Sequence, residues 1–480
     1  MAITVVLVYF VVIIAIGLYA RRRAAASTDE FFVAGGTIGT FTNSWAFLAT
    51  LASGGTIMAA VGMTVFLGLP YTVALAAGGP VGFAMASILV ARPMRRVGRY
   101  TVPDLFRARF DSAVIRWAAP VVIVIASTVY MVSQITVSGI IATALLGWPH
   151  EIGVLVTGGI FILYTALGGF LSVTWNDVFQ GFLMVGMTVA FAIIAIVSVP
   201  SFTDVFVTAT VEFPSYGAVG EALPVWSYVG GFVTSATTIC ILPHVIMRVY
   251  SARNARSARL SLNYAMILYG VIILAVTLVL APVSTTLPGV REMSPDTVFF
   301  ALSGAMLSPF MQGMIAAAVL AAVMSTTAGL LMACNSAIAN DLYARILRPG
   351  ATQRQTLLVA TVTTWVVGIV ATLFALDPPE FLVLLYIAAM GFLSSAFFAP
   401  MVLGIWWRRC TSAAAAAGLV VGAASYAVVF LALDMPSSSE ILVGIPMSFL
   451  AVVVVALAGP APTAEEVAVA ERAHAPAGPG

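Results

Sequence analysis

The sequence predicts an all-α polytopic membrane protein, on three observations. Hydrophobic residues make up 61% of the 480 and charged residues only 8%, at a mean hydropathy of +1.08. A water-soluble domain does not carry that balance, whereas lipid-spanning helices require it. The apolar residues gather into thirteen runs, at 3–20, 37–69, 71–91, 114–146, 152–169, 177–199, 226–250, 260–282, 308–343, 356–376, 380–406, 412–433 and 439–459. All 21 basic residues are Arg, and they sort by side.

Span 1 has no basic residue before it and Arg21-Arg22-Arg23 after it, the pattern of a helix inserted with its N-terminus outside. Thirteen spans then place Arg92, Arg95, Arg96, Arg99, Arg107, Arg109 and Arg116 inside with the first three. Arg248, Arg253, Arg256, Arg259, Arg345, Arg348, Arg354, Arg408, Arg409 and Arg472 join them. Only Arg291 falls outside, so 20 of 21 obey the positive-inside rule, and one span more or fewer scrambles the count. The expectation is a multi-pass protein of the cell membrane with a cytoplasmic C-terminus.

Span 2 is too long to be one straight helix: about 33 residues at 1.5 Å each reach roughly 50 Å, against about 30 Å of hydrocarbon. At its middle stands Ala52-Ser53-Gly54-Gly55-Thr56, where a membrane helix can unwind and offer carbonyls if protein or water covers them. Span 7 carries Gly230-Gly231, then Thr234, Ser235, Thr237 and Thr238, then Pro243, which removes a backbone donor. Each is a binding break or a packing kink. The two lie five spans apart in oppositely oriented segments, the pattern of an inverted-repeat secondary transporter with its site at the midplane. One transporter domain over 1–459 is expected, with repeats at about 37–199 and 226–406.

Span 9 runs uncharged from Ile315 to Asp341, with Met324-Ser325-Thr326-Thr327 at its centre. At helical spacing Ala322, Ser325, Thr326, Gly329 and Ala333 share one small, weakly polar face that another backbone can approach. Its hydroxyls suit either oxygen ligation of a hard, weakly charged cation such as Na+ or a bond back to a carbonyl four residues earlier.

These residues, with others along the chain, resemble the sodium:solute symporter family. The resemblance rests on Asp29-Glu30-Phe31-Phe32-Val33-Ala34-Gly35-Gly36, Gly98-Arg99-Tyr100-Thr101-Val102-Pro103-Asp104, and Gly168-Gly169 with Thr174-Trp175-Asn176-Asp177-Val178-Phe179-Gln180-Gly181. It continues through Pro243-His244-Val245-Ile246-Met247-Arg248 and Ala321-Ala322-Val323-Met324-Ser325-Thr326, leading to Asp341-Leu342-Tyr343. It implies a leucine-transporter-like fold of thirteen spans, a five-plus-five inverted repeat with broken helices, and Na+-coupled symport by alternating access. Carried over by position, the Na+ ligands are the Ser325 and Thr326 side chains and the Ala49, Ala52 and Ala322 carbonyls. Leu51 stands where some members have an Asp, leaving that set without formal charge. Asp177 is implied as a waypoint for Na+ release, and also reads as a first-turn acid opening span 6. Asp341 and Arg248, at inner helix ends, read as interfacial anchors.

For the solute, proline carriers of the family place aromatic residues on span 7 where this chain has Ser235 and Ile239. The stretch from Leu242 to Arg256 looks like the acetate and monocarboxylate subgroup, so a monocarboxylate such as acetate or pyruvate is expected. An amino acid (proline-like), pantothenate or a sugar is the alternative, and a non-transporting solute sensor a remote one. Candidate contacts are Thr50, Ser53, Gly54, Thr56, Tyr130, Gln134, Thr234, Ser235 and Thr238, each also suited to ordinary interhelical hydrogen bonding. His244 reads as packing or as a proton relay.

Cys240, Cys334 and Cys410 have no ligand spacing, so neither a disulfide framework nor a metal beyond Na+ is expected. No phosphate loop or Ser-His-Asp set stands out, so an enzyme is not expected. Na+ as coupling ion takes the place of a cofactor. The expected partners are the solute, Na+ and the lipid bilayer, with no nucleic acid. Na+ is expected over H+ because no carboxylate is read mid-span. The tail 460–480, mostly Ala, Pro and acid, reads as disordered, although Thr463 and Glu466 can cap a short helix.

Overall fold

The computed structural model describes residues 1–98, 100–377, 382–433 and 435–474, so Arg99 and the last six residues of the tail lie outside it. Among the described residues the regular structure is helical, as lipid demands of a chain that must satisfy its own backbone. The elements that form the spans, the site and the tail are α1 (Ala2–Ala24), α2 (Thr40–Leu51), α3 (Gly55–Leu67), α4 (Leu69–Val97), α5 (Ala113–Leu146), α6 (His150–Ser198), α7 (Val225–Ile241) and α8 (Pro243–Ser251). There follow α9 (Ala255–Ser284), α10 (Pro309–Leu347), α11 (Gln353–Phe374), α12 (Leu382–Trp406), α13 (Ser412–Ala432), α14 (Ile441–Ala458) and α15 (Ala464–His474).

Eleven helices among the described residues are long and apolar enough to span, or twelve with α2 and α3 as one bent span. The thirteen expected are not reached because α6, with 49 residues, is counted once where the hydropathy pattern marks two spans. The α6 chain turns at Gly169 (φ 53°, ψ −152°), and a Cβ there would lie 2.8 Å from the Phe31 ring. Glycine is required on both counts.

Burial ranks the helices. The most apolar stretch of α10 is 94% buried, against 28% for α1 and for α14, so α10 is the central post and the other two face lipid. Both expected breaks are present. α2 and α3 meet at 65° across Ala52, Ser53 and Gly54, and α7 gives way to α8 at Leu242 (φ −56°, ψ 120°), with Pro243 opening α8. Between α4 and α7, a Cβ on Gly78 would lie 2.4 Å from the Phe232 carbonyl oxygen and 2.7 Å from the Ser235 Cβ, so small residues set that spacing.

The tail differs from expectation. Residues Ala464–His474 form a helix, because its capping box is completed by a tertiary partner. The Glu466 amide donates to Thr463 Oγ1 (3.2 Å), while the Glu466 carboxylate accepts from the amides of Thr463 (2.8 Å) and Ser412 (2.8 Å). Burial pushes Glu466 up, but hydrogen bonds from Ser412 and Thr463 and the Arg109 charge outweigh it, so its carboxyl sits below the ordinary value. A lowered carboxyl pKa contributes stability that is present above the ordinary value and lost as pH falls through the lowered one.

Two variants test the α4–α7 packing. Gly78→Leu, which has no room, lowers the thermal midpoint by several degrees. Gly159→Leu, whose Cβ would meet nothing within 4 Å, leaves it unchanged in the same detergent.

Candidate functional site

The site forms where α10 meets the end of α2. Ser325 Oγ donates to the carbonyls of Ala49 (2.7 Å) and Ala322 (3.1 Å), and Thr326 Oγ1 donates to the carbonyl of Thr50 (3.1 Å). Both side chains are fully buried. The small face of α10 allows this approach, and the helix end supplies carbonyls that have lost their i+4 partners. Two hydroxyls and three carbonyls within hydrogen-bond reach form an all-oxygen set for a hard monovalent cation. Four of the five expected Na+ residues, Ala49, Ala322, Ser325 and Thr326, come together. For the fifth, the α2 carbonyl met by Thr326 is that of Thr50, two residues before Ala52. Thr327 bonds back to the Val323 carbonyl and faces away from the set.

Beside this set lies an ion pair that the sequence reading missed. Arg248 donates to Asp177, and both side chains are 1% exposed or less. Arg248 Nε also reaches Thr50 Oγ1 (2.6 Å), Thr50 Oγ1 reaches Asp177 Oδ2 (3.2 Å), and Asn43 Nδ2 donates to the Arg248 carbonyl (3.1 Å). Three expectations are corrected here. Arg248 is not an interfacial anchor but a buried cation over the Phe170 ring (5.2 Å). Asp177 does not open a helix, since α6 runs through it, and it is a buried carboxylate after all. Asp341 is no surface anchor either: it accepts from Thr101 Oγ1 (3.0 Å) and Asn340 (2.7 Å), beside the Asp104–Arg345 pair (2.9 Å). On the same Arg-rich side, Ile38 and Ala252 pair backbone to backbone, with Ile38 N on Ser251 O (2.9 Å) and Arg253 N on Ile38 O (3.0 Å). These bonds tie the approach to α2 to the end of α8.

A cavity of about 60 Å³ lies beside both breaks. Its lining comes from the middles and the Arg-poor halves of the surrounding helices. Of the expected contacts, Ser53, Thr56, Tyr130, Thr234 and Ser235 line it. The other four are engaged elsewhere. Thr50 belongs to the ion pair. The Gly54 amide donates to Gln134 Oε1 (3.0 Å), so this Gln satisfies the unwound backbone. Thr238 meets Ser394 Oγ (2.9 Å). The aromatic wall expected to be missing is present on other helices: Tyr269 from α9 and Tyr386 from α12 line the cavity with Tyr130, and Tyr130 stacks on Tyr386 at 5.8 Å. A Cβ on Gly55 would lie 2.7 Å from the Tyr386 ring, so glycine at the break admits it. Among the described residues, no charged side chain lines this cavity.

Broken helices around a cavity of apolar, aromatic and hydroxyl side chains, on an all-helical membrane scaffold, are the pattern of a secondary transporter. Residues 31–422 match the sodium:solute symporter family, and the chain belongs to that family. It is therefore a sodium-coupled solute symporter, not an enzyme, with Na+ as its coupling ion. It is 29% identical to the sodium/proline symporter of Escherichia coli (95% of this chain, 93% of that one) and 28% identical to the sodium/pantothenate symporter of the same organism (88% of each). It is 25% identical to an osmoregulated proline transporter of Bacillus subtilis (94% and 93%). In fold it resembles a substrate-bound, outward-open Na+-coupled sialic acid symporter (TM-score 0.82, 17% identity, 96% of this chain and 98% of that one). A nucleobase-cation-symport-1 family transporter in a closed conformation also matches (TM-score 0.58, 16% identity, 95% and 99%). The fold is leucine-transporter-like.

Replacing Ser325 or Thr326 by Ala is expected to weaken Na+ binding about 10- to 100-fold, in line with about 1–3 kcal/mol for one lost polar contact, while Thr326→Ser keeps most of it. Na+-dependent thermal shift reads both. Asp177→Asn leaves Arg248 buried without its counter-charge and is expected to cost about 3–5 kcal/mol of stability; the double variant Asp177→Leu with Arg248→Met recovers part of that.

Proposed function

We propose that the protein carries a small zwitterionic amino acid of the proline kind inward with Na+, by alternating access, across the plasma membrane, with its N-terminus outside and its C-terminus in the cytoplasm. The cavity carries the reading. Among the described residues its lining pairs hydroxyls with three tyrosine rings and holds no charged side chain, and Arg248 is engaged by Asp177. A zwitterion arrives with its charges balanced, whereas a lone carboxylate would be desolvated without a cation. The expected acetate or pyruvate therefore gives way to the alternative solute class, and the proline symporters among the relatives support the change. Ser53 and Thr56 at the α2 break and Thr234 and Ser235 on α7 supply polar contacts, and Tyr130, Tyr269 and Tyr386 the shelf for a ring.

In this reading Na+ binds first between Ser325, Thr326 and the carbonyls of Ala49, Thr50 and Ala322. It holds α10 against the end of α2 and so fixes the break that receives the solute. The two repeats then rock about the midplane, the Arg-rich side opens, and Na+ leaves past Asp177. An inside-negative potential contributes about 2.3 kcal/mol per charge per 100 mV to inward Na+ movement.

Purified protein in liposomes, given labelled proline with pantothenate and acetate as competitors, tests the reading. Uptake is expected to require an inward Na+ gradient, to be competed by unlabelled proline, and to ignore acetate. Uptake driven by a pH gradient without Na+, or blocked by acetate alone, contradicts it. Tyr386→Ala is expected to weaken proline about five-fold, the scale of one lost aromatic contact.

A further inference from the structure

His244 is a buried polar side chain that the proposed cycle leaves unused. It is 1% exposed, and neither ring nitrogen has a hydrogen-bond partner among the described residues. It stands at the start of α8, two residues past Leu242, which lines the cavity. The Tyr130 ring connects the two: it lines the cavity, stacks on Tyr386, and makes a T-shaped contact with the His244 ring at 6.4 Å. Tyr130 thus touches both the cavity and His244. One helical turn further toward the Arg-rich side, on the same face of α8, is Arg248. Across from that face is α10, where a Cβ on Gly329 would lie 3.4 Å from both His244 Cβ and Thr50 Cγ2.

We propose that His244 is a solute-binding residue on the inward half of the path, taking the solute's carboxylate after it passes Tyr130. A buried imidazole without a partner destabilises the sealed state, so an apolar residue would serve that state better. The imidazole gains its partner once the seal opens and the solute descends. A neutral ring offers one N–H donor and one acceptor, which suits the carboxylate and ammonium of a zwitterion. The first turn of α8 adds its positive end to the same spot. His244 therefore acts on release and not on first capture. The proposal rests on the zwitterion reading above.

The test compares wild type, His244→Leu and His244→Gln in liposomes, with labelled proline as probe. His244→Leu is expected to keep proline affinity in Na+ within two-fold, to raise the thermal midpoint, and to slow net uptake at least ten-fold. His244→Gln, which keeps a donor and an acceptor, retains at least half of the wild-type rate. Uptake by His244→Leu at the wild-type rate overturns the proposal, as does an equal loss of affinity and rate in both variants. If wild type binds no proline, the zwitterionic-solute reading fails by itself. The variants are then compared on pantothenate, where the same split between affinity and rate must appear or His244 has no such role.

Discussion

The structure depends on two hydroxyls reaching an interrupted helix. Ser325 and Thr326 sit mid-way along the most buried of the described spanning helices and touch the carbonyls of Ala49 and Thr50 as α2 ends. A helix end inside a membrane is tolerable only if its freed carbonyls find partners. Here α10 supplies them on one side, and Gln134 satisfies the Gly54 amide on the other. The same arrangement is what the proposed Na+ site uses, because a cation can take over carbonyls that hydroxyls now hold.

Thr50 links that position to the buried ion pair. Its carbonyl accepts from Thr326, while its hydroxyl sits between Arg248 and Asp177. Thr50 therefore touches both the proposed cation position and the ion pair, and Asn43 adds a bond to the Arg248 carbonyl. Such a buried pair is weak as a stabiliser, because desolvation offsets most of the attraction, but it is sensitive to geometry.

The fold was largely legible because its signals are local. Gly54-Gly55 and Pro243 mark the breaks by their own backbone chemistry, and the face of α10 follows from helical periodicity. Other features needed partners far away in sequence. Asp177 and Arg248 are 71 residues apart, and hydropathy dips near Thr174 to Asp177, so the pattern reads as a span boundary while the chain stays helical and turns at Gly169 instead. Tyr269 and Tyr386 carry no periodic signal that aims them at the cavity; only the packing of α9 and α12 does. The tail helix was half legible: its capping box is in the sequence, but the Ser412 contact that fixes it is tertiary.

The most direct check is amide hydrogen exchange over residues 46–58 in Na+ and in a Na+-free, ionic-strength-matched buffer. Na+ bridging α10 to the α2 break predicts slower exchange in Na+, and loss of that difference in Ser325→Ala and Thr326→Ala. Exchange in this segment that is indifferent to Na+ in the wild type would contradict the account at its root.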